Sequence, residues 1–307
     1  MTELRIEKDT LDEMMYQVTV RAACIIPRDV RRAIEEAERL EETEVAKGPL
    51  RSWLDDFKAG ERGNSICPDT GYQIYWVKLG ESIKIEGGMS SLYDAARQAV
   101  ARATEKGYLR PHLLHPITRK NPGTNLGYYT PTLHIQFDPA IGYIEIISVC
   151  KGGGGEGPGS YQRNLYEGDG KSGVIKFVLD SFLHSSYSGK SCPPGIVGVG
   201  IGGTAETSTR LALEAAALRP VGHRHPDPDI ADLEEDLLVQ LNTLGIGPMG
   251  LGGKTSVLDV HIEYALSHFA LLSVAYNTFC AVVRRATVRL EPSGRIEYSD
   301  VANWDYR

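Results

Sequence analysis

Residues 195–216, GIVGVGIGGTAETSTRLALEAA, decide the fold class. The segment opens with an apolar run broken only by glycine, Gly195–Ile201, which reads as a buried strand. Turn residues follow, and then a helix-like stretch, TAETSTRLALEAA. Strand passing through glycines into helix points to a mixed α/β domain, and the rest of the chain repeats the alternation. Val30, Ala33, Ile34, Ala37 and Leu40 recur at i, i+3, i+4, i+7 and i+10 within PRDVRRAIEEAERLEE, an amphipathic helix begun by Pro27. A second helix is expected from Ser90 or Ser91, with Leu92, Ala95, Ala96, Ala99, Val100 and Ala103 on one face. Two more are expected over 171–184 and 229–243, the latter aligning Ile230, Leu233, Leu237 and Leu241. Strands are expected at Thr132–Phe137, 143–149 and 255–262. With no repeat, low-complexity tail or linker in view, the expectation is one domain over 1–307 without an internal boundary.

Of the 33 glycines, 18 fall in four stretches, 121–127 (NPGTNLG), 151–159 (KGGGGEGPG), 195–203 and 245–253 (GIGPMGLGG). Chain without Cβ atoms can approach a ligand or another backbone closely. Gly198, Gly200 and Gly203 satisfy G-x-G-x-x-G between a strand and a helix, the context of a dinucleotide fold and of a nicotinamide-dependent oxidoreductase. The chain that follows, LRPVGHRHPDPD, lacks the second strand ending in an acid that such a fold needs about 20 residues on. PMGLGGKT has Pro248 where a phosphate loop needs its first glycine and leads into a strand, so a phosphate loop is disfavoured.

Composition narrows the function classes. At 307 residues, 42% hydrophobic and 24% charged, the chain can bury a sizeable core. Its 33 basic and 40 acidic residues give a formal charge of −7, with the basic residues scattered, which argues against nucleic acid or an anionic membrane as partner. The opening MTELRIEKDTLDEMMYQ lacks the basic-then-apolar order of a secretory signal. The apolar stretch 265–283 contains Ser267, His268, Ser273, Asn277 and Thr278 and reads as buried core rather than a membrane span. Cytoplasmic localisation is the expectation.

The five cysteines, Cys24, Cys67, Cys150, Cys192 and Cys280, are too few, too dispersed and odd in number for a disulfide scaffold. Cys67 in ICPDTG and Cys192 in SCPPG are each followed by proline and turn formers, an arrangement common where a rigid loop presents a thiolate to a cluster. No C-x-x-C pair occurs, which disfavours structural zinc. Taken singly, each cysteine could equally be a small buried hydrophobe.

An ordered set of motifs carries a resemblance across nearly the whole chain: ICPDTG (66–71), GYLRP (107–111), NPGTNLG (121–127), KGGGGE (151–156), CPPGIVGVGIGGTAE (192–206), GIGPMGLGGKTS (245–256) and SHFALLSVAYNTFC (267–280). The chain resembles the α subunit of two-subunit class I fumarases and L-tartrate dehydratases, which corresponds to the N-terminal domain of single-chain relatives. The resemblance implies an α/β (mixed α+β) fold with glycine-rich active-site loops. It implies a hydro-lyase that hydrates and dehydrates a small dicarboxylate, with fumarate/malate ahead of tartrate or a methylated fumarate (mesaconate). It further implies a [4Fe–4S] cluster on Cys67, Cys192 and Cys280, with Asp69 and His268 as catalytic candidates. Arg110, Gly154 and Lys151 become substrate contacts.

The same resemblance implies that the base and further cationic residues come from a separate β subunit, in an α2β2 or similar heteromer, so that this chain alone is inactive. Read without it, Asp69 would cap its turn, Arg110 would be a surface charge behind a helix, and His268 would be a satisfied core histidine. This chain departs from the family at Pro68, where Gln is common, and at Gly157, where Asn is common after the glycine loop. Cys150, directly before Lys151, falls on no ligand position and is taken as a bystander. A non-catalytic metal-binding subunit is the competing reading, opposed by the retention of Asp69, Arg110 and His268.

Overall fold

The computed structural model describes residues 4–187 and 189–304. In chain order the elements are β1 (Leu4–Ile6), α1 (Lys8–Cys24), α2 (Arg28–Leu40), α3 (Glu44–Gly60), β2 (Tyr72–Leu79), β3 (Ile83–Ile85), α4 (Ser91–Glu105), β4 (Thr132–Phe137), β5 (Ile144–Lys151), α5 (Gly153–Glu156) and β6 (Ser160–Leu165). There follow α6 (Gly170–Ser186), β7 (Gly195–Ile201), α7 (Ala205–Leu218), α8 (Pro228–Thr243), β8 (Val257–Tyr264), β9 (Leu272–Phe279), β10 (Arg285–Leu290) and β11 (Ile296–Ser299). The fold is mixed α and β, as expected, and the helices expected from Pro27, Ser90/Ser91, 171–184 and 229–243 are α2, α4, α6 and α8.

The chain folds as two compact units, one formed by 1–27, 57–151 and 284–307 and the other by 28–56 and 152–283. The first unit holds the sheet β11-β10-β5-β2-β4, antiparallel except for the parallel β2/β4 pair. α1 and α4 pack together against one face of it, burying Leu11, Met15, Val18 and Ala22 with Ala95, Ala99, Tyr75, Val77, Ile146 and Val288. β5 is buried along its whole length, including Glu145, whose carboxylate accepts from Arg289 Nε at 2.8 Å and Nη2 at 2.6 Å.

The second unit holds the sheet β6-β9-β7-β8, in which β7 pairs parallel to β8 and antiparallel to β9. α7 lies directly on β7, and the glycine pattern explains how. A Cβ on Gly198 would meet Ala212 O at 2.1 Å, and one on Gly200 would meet Ser208 O at 1.9 Å. These glycines let helix backbone approach strand backbone and serve packing rather than a dinucleotide. The phosphate-loop look-alike at 248–255 holds an anion of its own. The N–H groups of Lys254 and Thr255 donate to the buried Glu41 carboxylate at 2.7–3.0 Å.

The stretch 265–283 departs from the expectation of uniform core. Residues 265–271 form a loop that exposes Leu266 and Phe269, and only from β9 onward is the segment buried. Among the described residues no helix is long and apolar enough to cross a membrane.

Candidate functional site

In the first unit the ICPDTG turn runs into β2. Pro68 restricts the turn after Cys67, and Gly71 closes it at φ +69, a conformation costly for any residue with a Cβ. Cys67 is half-buried and the Asp69 side chain is 47% exposed, so Asp69 is available to a ligand. The turn is tied to the GYLRP segment, where the Arg110 N–H donates to Thr70 Oγ1 at 3.0 Å. That bond leaves the Arg110 side chain exposed while fixing its backbone beside Cys67. A cleft of about 300 Å³ is lined by Cys67, Pro68, Thr70 and Arg110 among others. Lys151, fully buried at the end of β5, is the register partner of Tyr72, one residue past the turn.

Two residues that sequence reasoning did not single out complete this group. The His112 Nε2 accepts the Gly71 N–H at 3.1 Å and lies 3.7 Å from Asp69 Oδ1. In the neutral ring that bond puts the proton on Nδ1. Asn125, buried and at φ +57, is a hub. Its Oδ1 accepts from His112 N at 3.1 Å and Leu113 N at 3.2 Å, while its Nδ2 donates to Arg110 O at 2.9 Å and Thr104 Oγ1 at 3.1 Å. The only sequence signal for Asn125 was its place in the NPGTNLG turn, where Asn tolerates the left-handed region.

The second unit gathers Gly154, Cys192 and Cys280 by backbone contacts. Cys192 adopts φ +54, uncommon for a non-glycine residue, in a turn closed by its N–H to Gly189 O at 2.9 Å. The Ala281 N–H donates to Cys192 O at 3.0 Å, which sets the Cys280 and Cys192 loops side by side. Gly154 packs on the same turn, since a Cβ there would meet Lys190 O at 2.9 Å. Asn277 Nδ2 donates to Glu156 Oε1 at 3.3 Å, tying the glycine loop to the end of β9 just before Cys280. Gly157 continues the loop, and its N–H donates to Gly153 O at 2.8 Å.

His268 stands apart from this group. It lies before β9 and Cys280 after it, and the strand's eight residues extend roughly 26 Å at about 3.3 Å per residue. The histidine is exposed, its Nδ1 accepts the Ala270 N–H at 3.2 Å, and its ring lies 4.5 Å from Phe269. It is therefore not a core histidine.

Each of the five cysteines is a thiol. Burial pushes the Cys24 thiol up to about 11 and also raises Cys150, whereas Cys67, Cys192 and Cys280 are half-buried. The three accessible soft donors, two of them on adjoining loops, suit iron–sulfur ligation in chemical type. Among the described residues no three His, Cys, Asp or Glu side chains converge as a ready metal group.

Comparison with known proteins agrees with the motif order. Residues 12–289 match the family model for fumarate hydratase (Fumerase). A Methanocaldococcus jannaschii protein provisionally named L(+)-tartrate dehydratase subunit alpha is 38% identical over 288 residues, covering 93% of this chain and 99% of its own length. The L(+)-tartrate dehydratase subunit alpha of Escherichia coli K12 is 35% identical over 279 residues, covering 91% of this chain and 90% of its own, and that of Shigella sonnei gives the same figures.

Proposed function

Because this chain belongs to the fumarate hydratase (Fumerase) family, we propose that it is the α subunit of a hydro-lyase that adds water to, or removes it from, a small dicarboxylate. The observation that carries the reading is the grouping of Cys67, Asp69 and Arg110 around one turn within a chain that matches the family from 12 to 289.

Dehydration breaks a C–O bond and the C–H bond on the neighbouring carbon, sending the proton to a base and the hydroxyl to water. Arg110 would bind one substrate carboxylate, because a planar guanidinium offers two parallel donors to it. Its exposed side chain on a pinned backbone supports that role. Asp69 would orient the substrate hydroxyl or hold a proton, its side chain 47% exposed beside the turn. Backbone N–H groups at Gly154 and its neighbours would contact a carboxylate. Lys151, buried at the end of β5, would add positive charge behind the turn.

Cys67, Cys192 and Cys280 would hold a [4Fe–4S] cluster. When bound, the cluster supplies an iron position without a protein ligand that acts as a Lewis acid toward the substrate hydroxyl. His268, at the far end of β9 from Cys280, would meet substrate by a route other than the Cys192 and Cys280 loops. The base would come from a β subunit, in a heteromer of α2β2 type, since the relatives are named as α subunits. Thiols unpaired by disulfides suit a reducing compartment, so the cytoplasm is part of the proposal.

On substrate, the family description names fumarate hydratase, which favours fumarate and L-malate, and the relatives' names favour L-tartrate as the second reading. The test is anaerobic reconstitution of the chain with its β subunit, followed by assays on fumarate, L-malate, L-tartrate and mesaconate. Turnover of one of these by the complex and none by the α chain alone is expected. A complex that carries iron yet turns over none of them would sink the reading.

A further inference from the structure

The first unit contains a buried cation that the proposed chemistry has not used. Arg284 is fully buried, and its Nε, Nη1 and Nη2 all lack a hydrogen-bond partner among the described residues. A guanidinium taken out of water without a partner is among the costliest arrangements a fold can hold, so an anion is called for.

The sheet register shows where that anion would lie. Gln73 on β2 is the partner of Cys150 on β5, and the Cys150 N–H donates to Arg284 O at 3.1 Å just before β10. Gln73, Cys150 and Arg284 thus form a row across three neighbouring strands. It is the end row of the face covered by α1 and α4. Gln73 Nε2 donates to Cys150 Sγ at 3.3 Å and to Thr70 O at 3.4 Å, and Thr70 Oγ1 in turn holds Arg110 N. The row therefore runs from Arg284 through Cys150 and Gln73 to the turn that carries Cys67 and Thr70.

We propose that Arg284 is a positioning residue, the buried counter-cation that offsets the negative charge gathered at the Cys67 turn when its thiolate holds the metal centre. The inference rests on the iron–sulfur reading above and assigns a role that Cys150 and Gln73 share only as spacers. Until the turn is loaded, the cation is uncompensated, and folding carries that penalty; loading relieves it.

The test uses the full chain and its Arg284→Met and Arg284→Lys variants, first metal-free and then reconstituted anaerobically with iron and sulfide. Metal-free, Arg284→Met is expected to unfold at a temperature equal to or above the parent, because an unpaired buried charge has been replaced by an apolar side chain of similar length. Loaded, it is expected to release iron to a chelator several-fold faster and to show a more negative midpoint potential, with Arg284→Lys between it and the parent. If Arg284→Met instead lowers the metal-free unfolding temperature and leaves iron release and potential unchanged, the residue is an ordinary structural cation and the proposal fails. Unchanged iron and potential with a raised KM for the dicarboxylate, measured on the complex with the β subunit, would also overturn it, assigning the cation to substrate. A parent chain that takes up no iron removes the iron–sulfur reading and this inference with it, whereas a parent that loads normally beside an unaltered Arg284→Met removes the inference alone.

Discussion

The two units hold their candidate residues in place by different means. In the first, side chains do the arranging: Thr70, His112 and Asn125 bond the Cys67 turn to the Arg110 segment, which between them carry the exposed Asp69 and Arg110 side chains. In the second, backbone does it: Gly154, Cys192 and Cys280 are set by main-chain bonds and by glycines that admit no Cβ. Substitution of an exposed side chain in the first unit should therefore alter chemistry at nearly constant stability, and substitution of a packed glycine in the second should alter stability first.

The largest expected effect is at Gly200. An alanine there would place its Cβ 1.9 Å from Ser208 O and 2.7 Å from Ala212 N, both backbone atoms that cannot swing away. Overpacking of that kind costs about 3 kcal/mol or more, so thermal unfolding of Gly200→Ala should fall sharply, with iron lost as a consequence. A variant of parental stability would show that α7 does not need its close approach to β7.

Arg110→Met sharpens the opposite half of the comparison. Its side chain is exposed, so stability should stay within about 0.5 kcal/mol. Loss of a charge-assisted contact to substrate, about 2–3 kcal/mol, should lower kcat/KM by roughly 30- to 150-fold. Steady-state kinetics beside thermal unfolding separates the two, and a variant with parental kcat/KM would remove Arg110 from the site.

Asn125→Ala tests the hub between these extremes. It removes four hydrogen bonds from a buried side chain and leaves a left-handed residue without its Asn. A loss of about 2–4 kcal/mol is expected, together with a raised KM, because Arg110 O loses its anchor.

How much of this was legible in the sequence depends on what kind of signal each part leaves. α2 was readable because Val30, Ile34 and Ala37 are buried on a helix whose other faces are charged. α1 was not, since Leu11, Met14, Met15, Tyr16, Val18, Thr19 and Ala22 are buried over too wide an arc to leave a clean stripe. α3 leaves a weak signal because it contains Gly48 and Pro49, both poor helix formers, within the helix. The G-x-G-x-x-G pattern had the local strand and helix of a dinucleotide fold, and only the antiparallel β9 beside β7 and the Cβ distances assign it to packing. Within the site, Cys67, Asp69 and Arg110 came from motif order. His112 and Arg284 carry no one-dimensional mark, because a tautomer fixed by Gly71 N–H and an unpartnered buried guanidinium exist only once strands are paired.

The smallest expected effect is the pH response of the second unit. Burial, followed by the nearby Arg219 charge, holds His225 below its ordinary value. The unfolded chain then binds the proton more readily, so this contribution is present above the ordinary histidine range and is lost as pH falls through it. The Asp259 carboxyl is opposed by burial, yet its bond to His261, the Gly222 N–H and the Arg224 charge hold it below the carboxylate range. Its contribution is present above the unfolded carboxylate range and is lost as pH falls further. Denaturant titrations over acid pH should show stability declining through both windows. Asp259→Asn should remove the lower one, and an unaltered acid limb in that variant would contradict the assignment.

The proposal that Cys67, Cys192 and Cys280 are cluster ligands is tested most directly by iron content with EPR after anaerobic reconstitution of the parent and of single serine variants. The account predicts loss of the cluster signal in Cys67→Ser, Cys192→Ser and Cys280→Ser, with Cys150→Ser and Cys24→Ser retaining it. An iron-free parent, or a cluster that survives loss of Cys67 and disappears with Cys150, would contradict it.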